Sequence, residues 1–231
     1  VNAILKAPVD LLYNGGIGTY VKATAETQAE VGDRANDALR VDGRELRCKV
    51  LVEGGNLGCT QLGRIEFAQA GGRICTDAID NSAGVDTSDH EVNIKILLGL
   101  AVGDGELTGK QRNALLAEMT DDVAADGVAR LVLRDNYFRT QVLSVTGRIA
   151  PELLDAQQRF VQYLEKEGRL HRAIEFLPSD REFARRRTNR QGLTSPEAAV
   201  LLAYAKMWLF DELVASSLPD DPWVASVIAR Y

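Results

Sequence analysis

Three short apolar runs, each closed by polar and glycine residues, alternate with helical patterns over the first hundred residues. Val9-Asp10-Leu11-Leu12-Tyr13 runs into Asn14-Gly15-Gly16, and Lys49-Val50-Leu51-Val52-Glu53 stops at Gly54-Gly55-Asn56. Arg73-Ile74-Cys75-Thr76 leads to Asp80-Asn81-Ser82-Ala83-Gly84. Runs of this length bounded by turn formers read as strands. Between the second and third, Leu62, Ile65, Phe67 and Ala68 follow helical spacing and stop at Gly71-Gly72. Strand, crossover helix and strand with such short connections predict a right-handed βαβ unit in a parallel sheet. In open parallel sheets ligands bind beyond the carboxyl ends of the strands, where all three polar loops are expected.

Before the first strand, Pro8 ends a short helical segment. Thr24 to Arg40 reads as a surface helix or ordered loop. From Glu91 onward the pattern is helical, with Val92, Ile96, Leu97 and Leu100 on one face and a stop near Gly103-Asp104-Gly105. Thr108 opens the next helix, and a further apolar-periodic segment covers roughly 123–145. Pro151 opens a helix that closes at Gly168, and Ser179-Asp180 begins a basic one. Ser195-Pro196-Glu197 leads into the most hydrophobic stretch, 198–215, which reads as a core helix. The fold class is therefore α/β. Residues 1–103 form the back half of a Rossmann-like nucleotide-binding domain, and residues 104–231 form a mainly helical domain.

Composition removes several classes of function. A net charge of −6 argues against nucleic acid as the partner, because phosphate binding needs a basic surface. The arginine-rich run from Arg181 to Arg190 is thus read first as a solvated or partner-facing helix. No apolar run reaches the ~18 residues of a membrane helix. Cys48, Cys59 and Cys75 are odd in number and lack metal-ligand spacing, which fits reduced thiols in the cytoplasm. The chain opens at Val1 without methionine and closes just after an apolar run, so it reads as a fragment of a longer protein.

The candidate chemistry lies in the polar loops. Gly16-x-Gly18 lacks the third glycine of a dinucleotide fingerprint, so a loop needing positive φ explains it about as well. Thr60 fits a helix N-cap and Asn56 a left-handed turn, although both sit at the ligand edge beside a helix N-terminus. Asp86, Asp89, His90 and Glu91 could suggest a metal, but acidic residues also favour a helix start, and no metal site is assigned.

At Asn14-Gly15-Gly16-Ile17-Gly18-Thr19-Tyr20-Val21-Lys22, Glu53-Gly54-Gly55-Asn56-Leu57-Gly58 and Asp80-Asn81-Ser82-Ala83-Gly84-Val85-Asp86 the chain resembles one family closely. It looks like the C-terminal part of the large bacterial NAD-specific glutamate dehydrogenases. Asp89-His90-Glu91-Val92-Asn93-Ile94-Lys95 and Leu133-Arg134-Asp135-Asn136 belong to the same resemblance. It implies oxidative deamination of L-glutamate to 2-oxoglutarate and ammonium, with hydride passing to NAD, in a cytoplasmic homo-oligomer.

Carried over by motif, Asn14, Gly15, Asn56 and Asn81 would face the cofactor, Asn81 reaching the nicotinamide. Val85 and Ser88 resemble the substrate-pocket valine and serine of that segment. Ser88 is also placed to cap a helix beginning near Asp89. Gly58-Cys59 departs from the Asn-x-Pro-Thr loop of shorter glutamate dehydrogenases, which leaves the role of Thr60 open. The family's glycine-rich lysine motif and its Pro-x-x-Asp segment are absent, so no catalytic residue is assigned and the fragment alone is expected to be inactive. A dehydrogenase of an apolar amino acid, or a non-catalytic nucleotide-binding or interaction module, remain alternatives.

Overall fold

The structure is a computed structural model and describes residues 1–127, 136–148 and 150–228. The resemblance motif at 133–135 lies outside the described residues. By internal contacts the chain divides into two compact units. The first comprises residues 1–149 with 194–196, the second residues 150–193 with 197–231. The fold is mostly helical with small parallel sheets.

In the first unit, α1 (Asn2–Leu5) ends before Pro8, and β1 (Leu11–Asn14) follows. β2 (Val21–Lys22), α2 (Gln28–Val31) and β3 (Val41–Asp42) make a small layer. Thr27 and Glu30 close a capping box on α2, and Gly32 ends it at φ +77°. β4 (Val50–Glu53) lies parallel to β1, with Leu11 opposite Val50 and Asn14 opposite Glu53. β2 and β3 are also parallel. Leu51, Phe67, Val21, Val41, Cys59 and Ile74 form the core beneath these strands. Every one of them is apolar or a small thiol, so the cluster buries no unpaired polar group.

After β4, Thr60 caps α3 (Gln61–Gln69), accepting a 2.9 Å hydrogen bond from the Gly63 amide. The chain then returns alongside β4. Leu51 donates to the Arg73 carbonyl at 2.9 Å and Arg73 to the Lys49 carbonyl at 3.0 Å. The strand expected over 73–76 is reduced to this one parallel bridge. Its shortness has a local cause. Thr76 and Asp77 start α4 (Asp77–Asp80), which takes the backbone into helix after three residues.

The segment 80–91, expected to be a polar loop, is helical. α4 passes through Asn81 into α5 (Ser82–Gly103), a single 22-residue helix. Ser88 therefore lies inside a helix and caps nothing. α5 packs against α6 (Gly109–Gly127). Its expected apolar face is exposed rather than buried, with Ile96, Leu97 and Leu100 each more than half accessible. α7 (Tyr137–Arg148) completes the described part of this unit.

The second unit packs α8 (Ala150–Lys166) on α9 (Asp180–Thr188). Leu154, Val161 and Leu164 share the buried stripe of α8, and Phe183 of α9 is fully buried. Ser179 caps α9. The basic run proves more than a solvated face. Arg186 is buried and forms a bidentate pair with the equally buried Glu197, both bonds 2.8 Å. Glu197 sits in the first turn of α10 (Ser195–Ala215). Leaving either charge unpaired at such depth would cost several kcal/mol, so the pair fixes how α9 meets α10. The core-helix expectation for α10 holds only at its start. Ala198, Ala199 and Leu201 are buried, but Met207, Phe210, Leu213 and Val214 are exposed. α11 (Pro222–Ile228) ends the described chain. Among the described residues no helix is long and apolar enough to cross a membrane.

Candidate functional site

The carboxyl ends of β1 and β4 come together through their loops. Gly54 donates to the Asn14 carbonyl at 2.8 Å. A methyl group on Gly54 would stand 2.0 Å from the Tyr13 hydroxyl, and one on Gly58 only 1.9 Å from the Asn14 amide nitrogen. Those two contacts are to side-chain tips that could move aside, whereas a methyl group on Gly55 would stand 2.7 Å from the Gly16 carbonyl oxygen, so the close approach of the two loops needs glycine there.

Beyond β4 the chain makes a turn through Asn56-Leu57-Gly58, with Leu57 in the left-handed region at φ +58°. The turn is pinned by buried charges. Glu53, at the end of β4, is fully buried and accepts the Cys59 amide at 2.9 Å. Arg64 of α3 holds both Glu53 oxygens, at 2.7 and 2.9 Å, and reaches Asp77 at 3.1 Å. Asp77 accepts the Leu57 amide at 2.7 Å. Carboxylate, guanidinium and carboxylate satisfy one another, which is the condition for burying such charges.

That arrangement sets Asn56 opposite Asn81, the residue joining α4 to α5. The Asn81 side-chain nitrogen donates to the Asn56 side-chain oxygen at 2.8 Å. Their bond uses one half of each amide and leaves the Asn56 NH₂ and the Asn81 carbonyl oxygen as a further donor and acceptor, the Asn81 oxygen lying against Gly84 in the first turn of α5. Both residues line a cavity of about 440 Å³ with Val85, Asp77, Asp86 and Asp89. Ser82, also on its wall, donates to the Asn136 side-chain oxygen at 2.6 Å. The cavity is acidic, so it suits a cationic or amide-bearing group and disfavours an anion that arrives without its own cation.

Of the residues singled out in the sequence, Asn56, Asn81 and Val85 meet in this one cavity. Asn14 lies elsewhere, on a separate recess of about 230 Å³ with Tyr20, Leu51 and Cys59. Gly15 is held against the Tyr13 ring. Ser88 is exposed on α5, one turn beyond Val85, and is not part of the cavity wall. Thr60 combines its cap with a 2.6 Å hydrogen bond to Glu26. His90 bonds the Asp86 carbonyl one turn back at 2.9 Å. Among the described residues no metal-holding group of His, Cys, Asp or Glu is found.

The titratable groups nearby are structural in their partners. Burial raises the Asp80 carboxyl to about 6, with the Glu53 charge adding to the effect, while the Glu53 amide it accepts at 3.0 Å opposes it. Burial pushes the Cys75 thiol to about 11 and the Cys59 thiol well up, so neither is a nucleophile at neutral pH. Asp77 is the residue that sequence reasoning misses. Its signal was Thr76-Asp77-x-x-Asp80, an acidic helix start hidden by reading the segment as strand and loop.

With the geometry in hand, comparison with known proteins adds the following. Residues 1–146 match the family described as bacterial NAD-glutamate dehydrogenase, catalytic domain, and residues 190–231 match glutamate dehydrogenase, C-terminal. A protein of Pseudomonas aeruginosa named NAD-specific glutamate dehydrogenase is 58% identical over 224 residues, which is 97% of this chain. Proteins of the same name from Halomonas elongata and Mycobacterium tuberculosis are 53% and 51% identical over the whole chain. The chain spans 14% of the length of each of these relatives.

Proposed function

This chain belongs to the family of bacterial NAD-glutamate dehydrogenase catalytic domains, and from that membership we propose that it is part of an enzyme that oxidatively deaminates L-glutamate to 2-oxoglutarate and ammonium. Residues 1–103 would be the C-terminal part of its Rossmann-like NAD-binding domain and residues 104–231 a helical C-terminal domain. Assembly as a homo-oligomer in the cytoplasm belongs to the same proposal, and the mass of the native enzyme in solution tests it.

The observation that carries the reading is the pair of carboxamides, Asn56 and Asn81, 2.8 Å apart on the cavity wall. A nicotinamide carboxamide offers an NH₂ donor and a carbonyl acceptor, and the donor and acceptor that the Asn56–Asn81 bond leaves over are their complement. The acid groups around them suit the positive nicotinamide ring of the oxidised cofactor. NAD, when bound, supplies the hydride acceptor; Asn56 and Asn81 orient its carboxamide, and Asn14 and Gly15 support the edge from the neighbouring strand. Val85 and Ser88 lie i,i+3 on one exposed side of α5 and would face the substrate. Glutamate carries two carboxylates, so a cation must accompany it into so acidic a setting.

Asn81→Ala in the full-length enzyme tests this directly. Losing one hydrogen bond to the bound cofactor costs roughly 1–3 kcal/mol, about 5- to 150-fold. The KM for NAD should rise and kcat should fall, with the folded state retained. Wild-type NAD kinetics in a folded variant would make Asn81 a turn residue only.

A further inference from the structure

We propose that Asp77 is a positioning residue for the cofactor amide Asn56, acting through the Leu57 backbone. The inference rests on the cofactor reading of Asn56 and Asn81 and assigns how that pair is built. Leu57 stands at φ +58°, a conformation that side chains other than glycine rarely adopt. Burial does not hold it there, because Leu57 is 64% exposed. Hydrogen bonds do. Its amide donates to Asp77 at 2.7 Å, and its carbonyl accepts the Thr19 hydroxyl at 2.7 Å. The other Asp77 oxygen pairs with Arg64, which is anchored on buried Glu53. Glu53 in turn takes the Cys59 amide. The turn is therefore gripped on both sides of Gly58 by two carboxylates that share one guanidinium. Asn56 directly precedes the gripped amide, so releasing Leu57 frees Asn56 to rotate away from Asn81.

A plainer reading makes Asp77 only a favourable helix start. It accepts the Ala78 amide at 2.9 Å, and acidic residues are favoured in a first turn. Asp77→Ser keeps a residue suited to a helix start but is too short to serve Leu57 and Arg64 together. Asp77→Asn keeps an acceptor oxygen for Leu57.

The test uses the full-length enzyme with Asp77→Ala, Asp77→Ser, Asp77→Asn, Asn56→Ala and the Asp77→Ser/Asn56→Ala double variant. Two quantities are measured: the KM for NAD, and hydrogen exchange of the 54–60 segment in the cofactor-free enzyme. Asp77→Ala and Asp77→Ser should raise the KM for NAD roughly 3- to 10-fold and speed exchange at Leu57. Asp77→Asn should recover most of both. The double variant should be no worse than Asn56→Ala, because both changes remove the same contact. Should the alanine variant fail to fold, the serine cycle decides alone. A KM effect in Asn56→Ala that Asp77→Ser does not share, or one that adds to it fully, overturns the positioning role and leaves the cofactor reading standing. Wild-type NAD kinetics in Asn56→Ala overturns both.

Discussion

Asp80 shows how a single half-buried carboxyl records the architecture around it. It accepts the backbone amide of Glu53, whose own carboxylate is fully buried. Its folded-state value of about 6 stands above the ordinary 3.8. The folded chain therefore holds more protons than the unfolded one between those two values, and stability falls as pH rises through that window. Asp80→Asn keeps an oxygen for the Glu53 amide and removes the titration. The difference in unfolding temperature, variant minus wild type, should grow from pH 4 to pH 6 and then level off, corresponding to on the order of 1–3 kcal/mol. A difference that stays flat across this range would place Asp80 in contact with solvent. At this scale the sequence is half legible. Asn56 and Asn81 stand out because each closes a glycine-bounded strand signal. Glu53 and Arg64 do not, since one reads as the polar end of a strand and the other as the wet side of a helix. Only their mutual burial gives them a role.

Among the elements, α5 changes the reading most. Its start was legible as a dense polar segment, but that segment proves helical from Ser82, because the acidic residues that suggest a loop also favour a helix's first turns. The consequence concerns Ser88. Inside a helix and exposed, it has no cap to lose, and alanine is a better helix former than serine. Ser88→Ala should therefore leave unfolding temperature unchanged or slightly raised. If Ser88 meets a glutamate carboxylate, kcat/KM for glutamate should fall roughly 10- to 150-fold, since a hydrogen bond to a charged group contributes about 1.5–3 kcal/mol. Unchanged glutamate kinetics would move the substrate contact to another residue. The third strand was over-read for a related reason. Ile74 and Thr76 are buried in alternation as a strand would require, yet the helix signal at Asp77 ends the pairing after one bridge. Buried Arg186 and Glu197 similarly show that five arginines between positions 181 and 190 do not make a solvated face.

For the whole molecule, the sequence conveys order and class more readily than burial. Parallel strands followed by helices are legible from periodicity alone. That α5 and the end of α10 expose their apolar residues is not, because periodicity shows which positions share a face and not what lies against it. The central claim is that the Asn56–Asn81 pair receives the nicotinamide. It is tested most directly by determining the structure of the full-length enzyme with NAD bound. The nicotinamide carboxamide should lie within about 3 Å of the Asn56 nitrogen and the Asn81 oxygen, at the carboxyl end of β4. A nicotinamide bound elsewhere, with both asparagines bonded only to each other, would contradict the account.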